Sequence, residues 1–226
     1  MFSWELSQQR ASSCLIGIYA PPVGVSIDFA LSFSALVKPA LHDIIRVSGL
    51  PFGEARTQMA YQCLNGGYQF LFMIDVDILA PPETIPKLMS YRLPIVSGLY
   101  HQRFPSWDGM TANYLPCMFN EVRQPDGTFA KQAITNYTPG SLVNADLVPG
   151  GCLLIHRSVF DRFLANGIKR FFQWTLTAEE PQGKSEDFFF TTKARELGYQ
   201  PMVDTSLIAT HETHAQVTAK GLLPKL

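Results

Sequence analysis

The chain has 226 residues, 46% of them hydrophobic and 16% charged, with a formal net charge of −1. That length suits one large domain with a substantial core, and the near-neutral balance removes the electrostatic case for a nucleic-acid partner. No apolar run approaches the ~20 residues of a membrane span, and Met1 to Arg10 lacks the apolar stretch of a secretory signal.

Cys14–Ala20 reads as a first buried strand, stopped by Pro21-Pro22. Ser26 is placed to cap a helix running to about Val37, with Asp28 in its first turn. Ile44–Val47 is a short second strand. Gly53-Glu54-Ala55-Arg56 opens a helix through Leu64 that Asn65-Gly66-Gly67 closes. Phe70-Leu71-Phe72-Met73-Ile74 is a continuous apolar run, as buried strands of parallel sheets are, and it ends in Asp75-Val76-Asp77. Pro81-Pro82-Glu83 starts a helix to near Tyr91, and Pro94–Tyr100 is a fourth strand. This alternation predicts a parallel, Rossmann-like sheet.

The second half has a different pattern. Tyr114–Val122 and Phe129–Ile134 flank Pro125-Asp126-Gly127, a hairpin signal. Leu147 to Ile155 breaks at Pro149-Gly150-Gly151 and continues as a strand, followed by a helix over Val159–Ala165. Ser185-Glu186-Asp187 opens a helix through Glu196, closed by Gly198. Gln200–Val203 and Leu207–Thr210 read as two short terminal strands. The expected organisation is a single domain over 1–226. Residues from about 13 to 104 would form a nucleotide-binding half, about 105–214 an acceptor-side half, and 215–226 a tail, read as frayed, with a lid or a peripheral membrane contact as alternatives. The four cysteines, Cys14, Cys63, Cys117 and Cys152, form no C-x-x-C pair and lie in apolar stretches. They read as buried thiols of a reducing, cytoplasmic setting.

Asp75 and Asp77 are the chemical centre of this pattern. Side chains at i and i+2 of a strand share a face, so both carboxylates are expected to project from the carboxyl edge of a central strand, where open α/β sheets bind ligands. Carboxylates held together repel unless a cation joins them. Oxygen ligands of this kind suit Mg²⁺ or Mn²⁺, and such an ion would hold a diphosphate.

Four elements in order now resemble the GT-A nucleotide-sugar glycosyltransferases, especially compact members of glycosyltransferase family two. They are Gly53-Glu54-Ala55-Arg56-Thr57-Gln58, Phe72-Met73-Ile74-Asp75-Val76-Asp77, Pro149-Gly150-Gly151-Cys152-Leu153-Leu154-Ile155, and Ser185-Glu186-Asp187-Phe188 followed by His211. The resemblance spans roughly Cys14 to His214. It implies a GT-A (Rossmann-like) α/β fold, a mixed sheet flanked by helices.

The resemblance also implies roles. Asp77 would bind the metal directly, and Asp75 would bind it through water or hold the ribose. His211 would add an imidazole ligand, with His214 as its competitor. Asp187 would be the base of an inverting transfer, with Glu186 as second choice or hydroxyl-orienting group. Arg56 would pair with phosphate or with an acid that binds the base. Tyr19 and Pro21 would lie beside the nucleotide base, His101 and Trp107 would reach sugars, and Gly150 and Gly151 would let the backbone approach the donor. Phe171-Phe172-Gln173-Trp174 would line the acceptor cleft, and Thr175–Lys184 would order on donor binding.

The expected activity is metal-dependent transfer of a sugar from a nucleotide-diphosphate sugar to an acceptor hydroxyl on a glycan, lipid, protein or small molecule. The rivals are a nucleotidyltransferase and a non-catalytic nucleotide- or carbohydrate-binding module. Ala20-Pro21-Pro22-Val23-Gly24 has no Lys or Arg, which counts against the first.

Overall fold

The computed structural model describes residues 12–20, 24–103, 106–107, 112–177, 183–213, 215–218 and 221–224. Strand β1 (Cys14–Tyr19) is followed by helix α1 (Ile27–Ala35), β2 (His42–Val47), α2 (Phe52–Asn65) and β3 (Phe70–Asp75). Then come β4 (Ile78–Leu79), α3 (Thr84–Ser90), β5 (Ile95–Leu99), β6 (Ser106–Trp107) and β7 (Ala112–Asn113). The second half runs β8 (Phe119–Arg123), β9 (Phe129–Ala133), β10 (Leu142–Asn144), β11 (Cys152–His156), α4 (Arg157–Ala165) and α5 (Glu186–Glu196). It closes with β12 (Met202–Ile208), β13 (Thr210–His211), β14 (Ala215–Thr218) and β15 (Gly221–Pro224).

A seven-stranded sheet in the order β10-β12-β5-β11-β3-β1-β2 carries the domain. It is mixed and flanked by helices, consistent with a Rossmann-like GT-A fold. β1 pairs with β2 and β3 in parallel, as the alternating first half predicted. β5 runs in the same direction as these strands but pairs with none of them, because β11, from the second half, inserts between β3 and β5 and is antiparallel to both. An apolar run such as Cys152-Leu153-Leu154-Ile155 is buried on both faces in either direction, so its composition does not reveal its sense.

Local signals set the boundaries. Ser26 caps α1 by accepting a hydrogen bond from Phe29 N at 2.9 Å. Gly67, with φ of 73°, turns the chain after α2, and Gly127 does the same between β8 and β9. Ser185 stands at the N-cap of α5 without a side-chain cap bond, and its hydroxyl donates to Asp187 Oδ1. The two terminal strands expected from sequence are one strand, β12, with an irregularity between Asp204 and Ile208, followed by the short β13. Residues 215–218 and 221–224, placed in a frayed tail above, pair as an antiparallel hairpin.

Strand alternation sorts the core into two layers. Leu71 and Met73 of β3 pack with Ala55, Met59 and Cys63 of α2 and with Phe160, Phe163 and Phe190 of α4 and α5. Phe70, Phe72 and Ile74 face the other way, toward Phe29 of α1 and Ile85 and Leu88 of α3. All four cysteines are buried and unpaired, and burial pushes each thiol up to about 12. None of them is a nucleophile at neutral pH.

Candidate active site

Asp75 ends β3 on the same face as Leu71 and Met73, so it points at α2. There it meets Arg56, which lies on the buried stripe Ala55, Arg56, Met59, Ala60, Cys63. Arg56 Nη2 donates to Asp75 Oδ1 and Oδ2 at 3.1 and 2.9 Å. Its Nη1 donates to Glu186 Oε1 at 2.5 Å and lies 3.7 Å from Asp187 Oδ2. A buried guanidinium is thus shared by three carboxylates from β3 and the first turn of α5. The cation expected beside Asp75 is supplied by the chain itself.

The charges act on one another. Burial works against the charged form of Arg56, but the carboxylates of Asp75, Asp187 and Glu186 outweigh it and hold the guanidinium firmly protonated. Burial raises the Asp75 carboxyl despite Arg56, and the Asp77 charge adds to the rise. Glu186 is likewise raised by burial, with Arg56 opposing and Asp187 contributing.

Gly150 and Gly151 explain themselves here. A Cβ on Gly150 would stand 2.6 Å from Arg56 Cζ, and one on Gly151 would stand 2.7 Å from the Tyr100 hydroxyl. The glycines make room for Arg56 and Tyr100. Gly150 N donates to Asp187 Oδ2 at 3.2 Å, and Gly151 N donates to Tyr100 Oη at 3.1 Å. Burial pushes the Tyr100 phenol well above its ordinary range, so it stays neutral.

Asp77 does not share the strand geometry of Asp75. β3 ends at Asp75, and Val76-Asp77 form a turn into β4. The two acids therefore have different partners. β13 pairs with β4 and sets His211 opposite Ile78, which brings His211 Nε2 to 3.6 Å from Asp77 Oδ2. Arg103 Nη1 lies 3.0 Å from the same oxygen. Burial pushes the Asp77 carboxyl up, but the hydrogen bond and charge of His211, with the charge of Arg103, more than offset it and hold the carboxyl low.

The donor set bears on a metal. His211 Nδ1 lies 2.7 Å from the His101 carbonyl oxygen. With Nδ1 donating to that carbonyl, a metal that displaced the Nε2 proton now paired with Asp77 would find the Nε2 lone pair beside the Asp77 carboxylate. Two lone-pair groups so placed suit a shared divalent ion, and carboxylate with imidazole fits Mn²⁺ or Mg²⁺ whose other positions are filled by phosphate and water. The expected set of Asp75, Asp77 and His211 is not gathered, because Asp75 is bonded to Arg56. Among the described residues no three His, Cys, Asp or Glu side chains form an ion site. His214 lies outside the described residues.

The remaining candidates fall around this centre. Tyr19 lies in register with Asp75 and Val47 at the strand ends. Its ring packs on Phe52 at 4.1 Å between centroids, and its hydroxyl donates to the Leu50 carbonyl at 3.2 Å. His101 contributes its carbonyl to His211, while burial lowers its own imidazole. Pro21 and the side chain of Trp107 lie outside what the structure describes.

A cavity of ≈ 930 Å³ opens beside the carboxylates, with Phe52, Gln58, Phe172, Trp174 and Glu186 in its wall. Gly53 lets α2 approach this wall, since a Cβ there would stand 2.8 Å from the Phe172 carbonyl oxygen. Thr57 Oγ1 fastens the segment by bonding both the N–H and the carbonyl of Phe172 at 3.2 Å. Thr175 and Lys184 exchange backbone hydrogen bonds at the base of the loop expected to order. Sequence reasoning missed Tyr100 and Arg103. Their only signal was position, at the end of β5 on the carboxyl edge of the sheet.

No family model matches the chain, and no curated protein matches it in sequence. Among solved structures it is similar to the crystal structure of A197 from STIV, with a TM-score of 0.57 and 13% identity over 95% of this chain and 94% of that one. It overlaps more loosely with GalNAc-T7 with UDP, GalNAc and Mn²⁺, at a TM-score of 0.49 and 11% identity, covering 88% of this chain and 43% of that one. It overlaps similarly with apo UDP-glucose pyrophosphorylase, at a TM-score of 0.42 and 8% identity, covering 92% and 78%. At such identities the likeness concerns the fold alone. No described helix is long and apolar enough to cross a membrane.

Proposed function

We propose that the chain is a glycosyltransferase that uses a divalent ion, moving a sugar from a nucleoside-diphosphate donor to an acceptor hydroxyl with inversion. The observation that carries this reading is the meeting of two unlike clusters at the carboxyl end of β3. Asp77 faces an imidazole on one side, and Glu186, next to Asp187, opens on a large cavity on the other. Asp77 and His211 would hold Mn²⁺ or Mg²⁺, which when bound supplies Lewis-acid stabilisation of the departing diphosphate. Arg103, half exposed, would exchange Asp77 for a phosphate oxygen. Tyr19 would lie beside the nucleoside.

The Glu186-Asp187 pair would supply the base. The resemblance favours Asp187, whose Oδ1 accepts from Ser185 Oγ and from Phe188 N at 2.8 Å while Oδ2 accepts from Gly150 N. Glu186 lines the cavity and bonds one side chain, Arg56, among the described residues. Its raised pKa suits proton capture. These hydrogen bonds support a reading in which Glu186 would be the acceptor-facing base and Asp187 would tie the Gly150-Gly151 turn to α5.

Thermal shift with UDP, GDP, ADP and CDP, with and without Mn²⁺, tests the reading. One nucleotide should stabilise the protein only with metal, and Asp77→Ala should remove that effect. In a donor-hydrolysis assay, Glu186→Gln should lower the rate at least tenfold without weakening nucleotide binding. No metal-dependent stabilisation by any nucleotide would refute the transferase reading. Full activity of Glu186→Gln beside an inactive Asp187→Asn would return the base to Asp187.

A further inference from the structure

Trp174 stands 65% exposed beside the segment that Thr57 anchors. It lines two cavities at once. One is the ≈ 930 Å³ space that Glu186 also lines. The other, ≈ 680 Å³, is walled by Phe129, Lys131, Ser185 and Phe188. The first turn of α5 is divided in the same way, with Glu186 on the first cavity and Ser185 and Phe188 on the second. Trp174 is held at this boundary. Gly183, with φ of +79°, lies against its indole so closely that a Cβ would stand 2.7 Å from Nε1, and the Thr175–Lys184 bridge closes the backbone behind it.

The lining has one chemical character on both sides. Exposed ring surface, Phe52 at 47% in the first cavity and Phe129 at 41% in the second, alternates with the amide of Gln58 and the ammonium of Lys131. A lipid tail would leave those polar groups without partners, which is costly once water is excluded. A pyranose matches them. Its axial C–H face packs on the electron-rich face of an aromatic ring, and its equatorial hydroxyls reach polar side chains at the ring edge.

We infer that the acceptor is an oligosaccharide or glycan chain that crosses Trp174. The terminal sugar lies in the larger cavity with a hydroxyl toward Glu186, and the preceding sugar extends into the smaller one. This inference rests on the transferase reading for its direction. Its binding test does not.

The probes are gluco-, manno-, galacto- and N-acetylglucosamine oligosaccharides of one to six units, followed by tryptophan fluorescence and calorimetry with and without the stabilising nucleotide and Mn²⁺. Wild type should bind one series with affinity rising at least tenfold from one unit to two or three. Trp174→Ala should lose at least tenfold for the longer chains, abolish the length dependence, and keep nucleotide-dependent stabilisation. Trp174→Phe should recover part of the affinity, and Phe129→Ala should weaken chains of two or more units without affecting single sugars. Wild type that binds no series, or binds one and six units equally, overturns the inference even when nucleotide binding is intact. Chain binding that depends on Trp174 without nucleotide binding would leave the glycan site standing and refute the transferase.

Discussion

Arg56→Met removes the guanidinium that three carboxylates share while keeping much of the side-chain bulk. The side chains of Asp75, Glu186 and Asp187 are 23%, 13% and 13% exposed, so little water reaches the charges left behind. Removing one partner of a buried ion pair costs about 3–5 kcal/mol, because the remaining charge is uncompensated. In a domain of this size each kcal/mol moves Tm by roughly 2–4 °C, so the expected fall is roughly 6–20 °C.

The pH dependence has a definite sign. Glu186 is already raised by burial with Arg56 opposing, and without Arg56 it rises further. A carboxyl raised in the folded state holds its proton where the unfolded chain has lost it. Stability therefore falls as pH rises through the window between the two pKa values and is present below it. The variant's deficit should be largest near neutral pH and shrink on acidification toward about pH 5. Urea melts of both proteins at several pH values measure this, with Arg56→Lys as an intermediate that keeps the charge and loses the fork. A deficit below about 1 kcal/mol at neutral pH, or one that grows on acidification, would refute the shared-cation account.

Gly150→Ala sets a Cβ 2.6 Å from Arg56 Cζ, and that guanidinium is pinned by carboxylates and cannot retreat. Chemical denaturation should show a loss of about 1–3 kcal/mol, larger than for Gly17→Ala, whose Cβ meets the flexible Met59 thioether at 2.6 Å. The reverse order would show that Arg56 is not the obstacle. Tyr100→Phe strips the Gly151 N–H of its acceptor, so a loss of about 1–3 kcal/mol is expected. Hydrogen exchange at the Gly151 amide should quicken, and an unchanged rate would mean the bond contributes nothing.

The helices and strands were legible because their signals are local. Ser26, Gly67 and Gly127 act within a few residues of themselves, and β3 announced itself by six positions of apolar-to-acid pattern. The position of Arg56 on a stripe with Met59, Ala60 and Cys63 was also readable, and it predicted a buried guanidinium had the stripe been followed. The direction of β11 was not readable, since a strand buried on both faces has the same composition either way.

Residue order alone places two acids at the end of a buried strand and a second acid pair at the start of a helix more than 100 residues later. Their partners follow from how the elements pack. The turn at Val76-Asp77 breaks the alternation that would have kept Asp75 and Asp77 together. Asp75 faces α2 and pairs with Arg56, and Asp77 faces β13 and meets His211. Which charge neutralises which depends on contacts 19 to 134 positions apart, and no local preference encodes them.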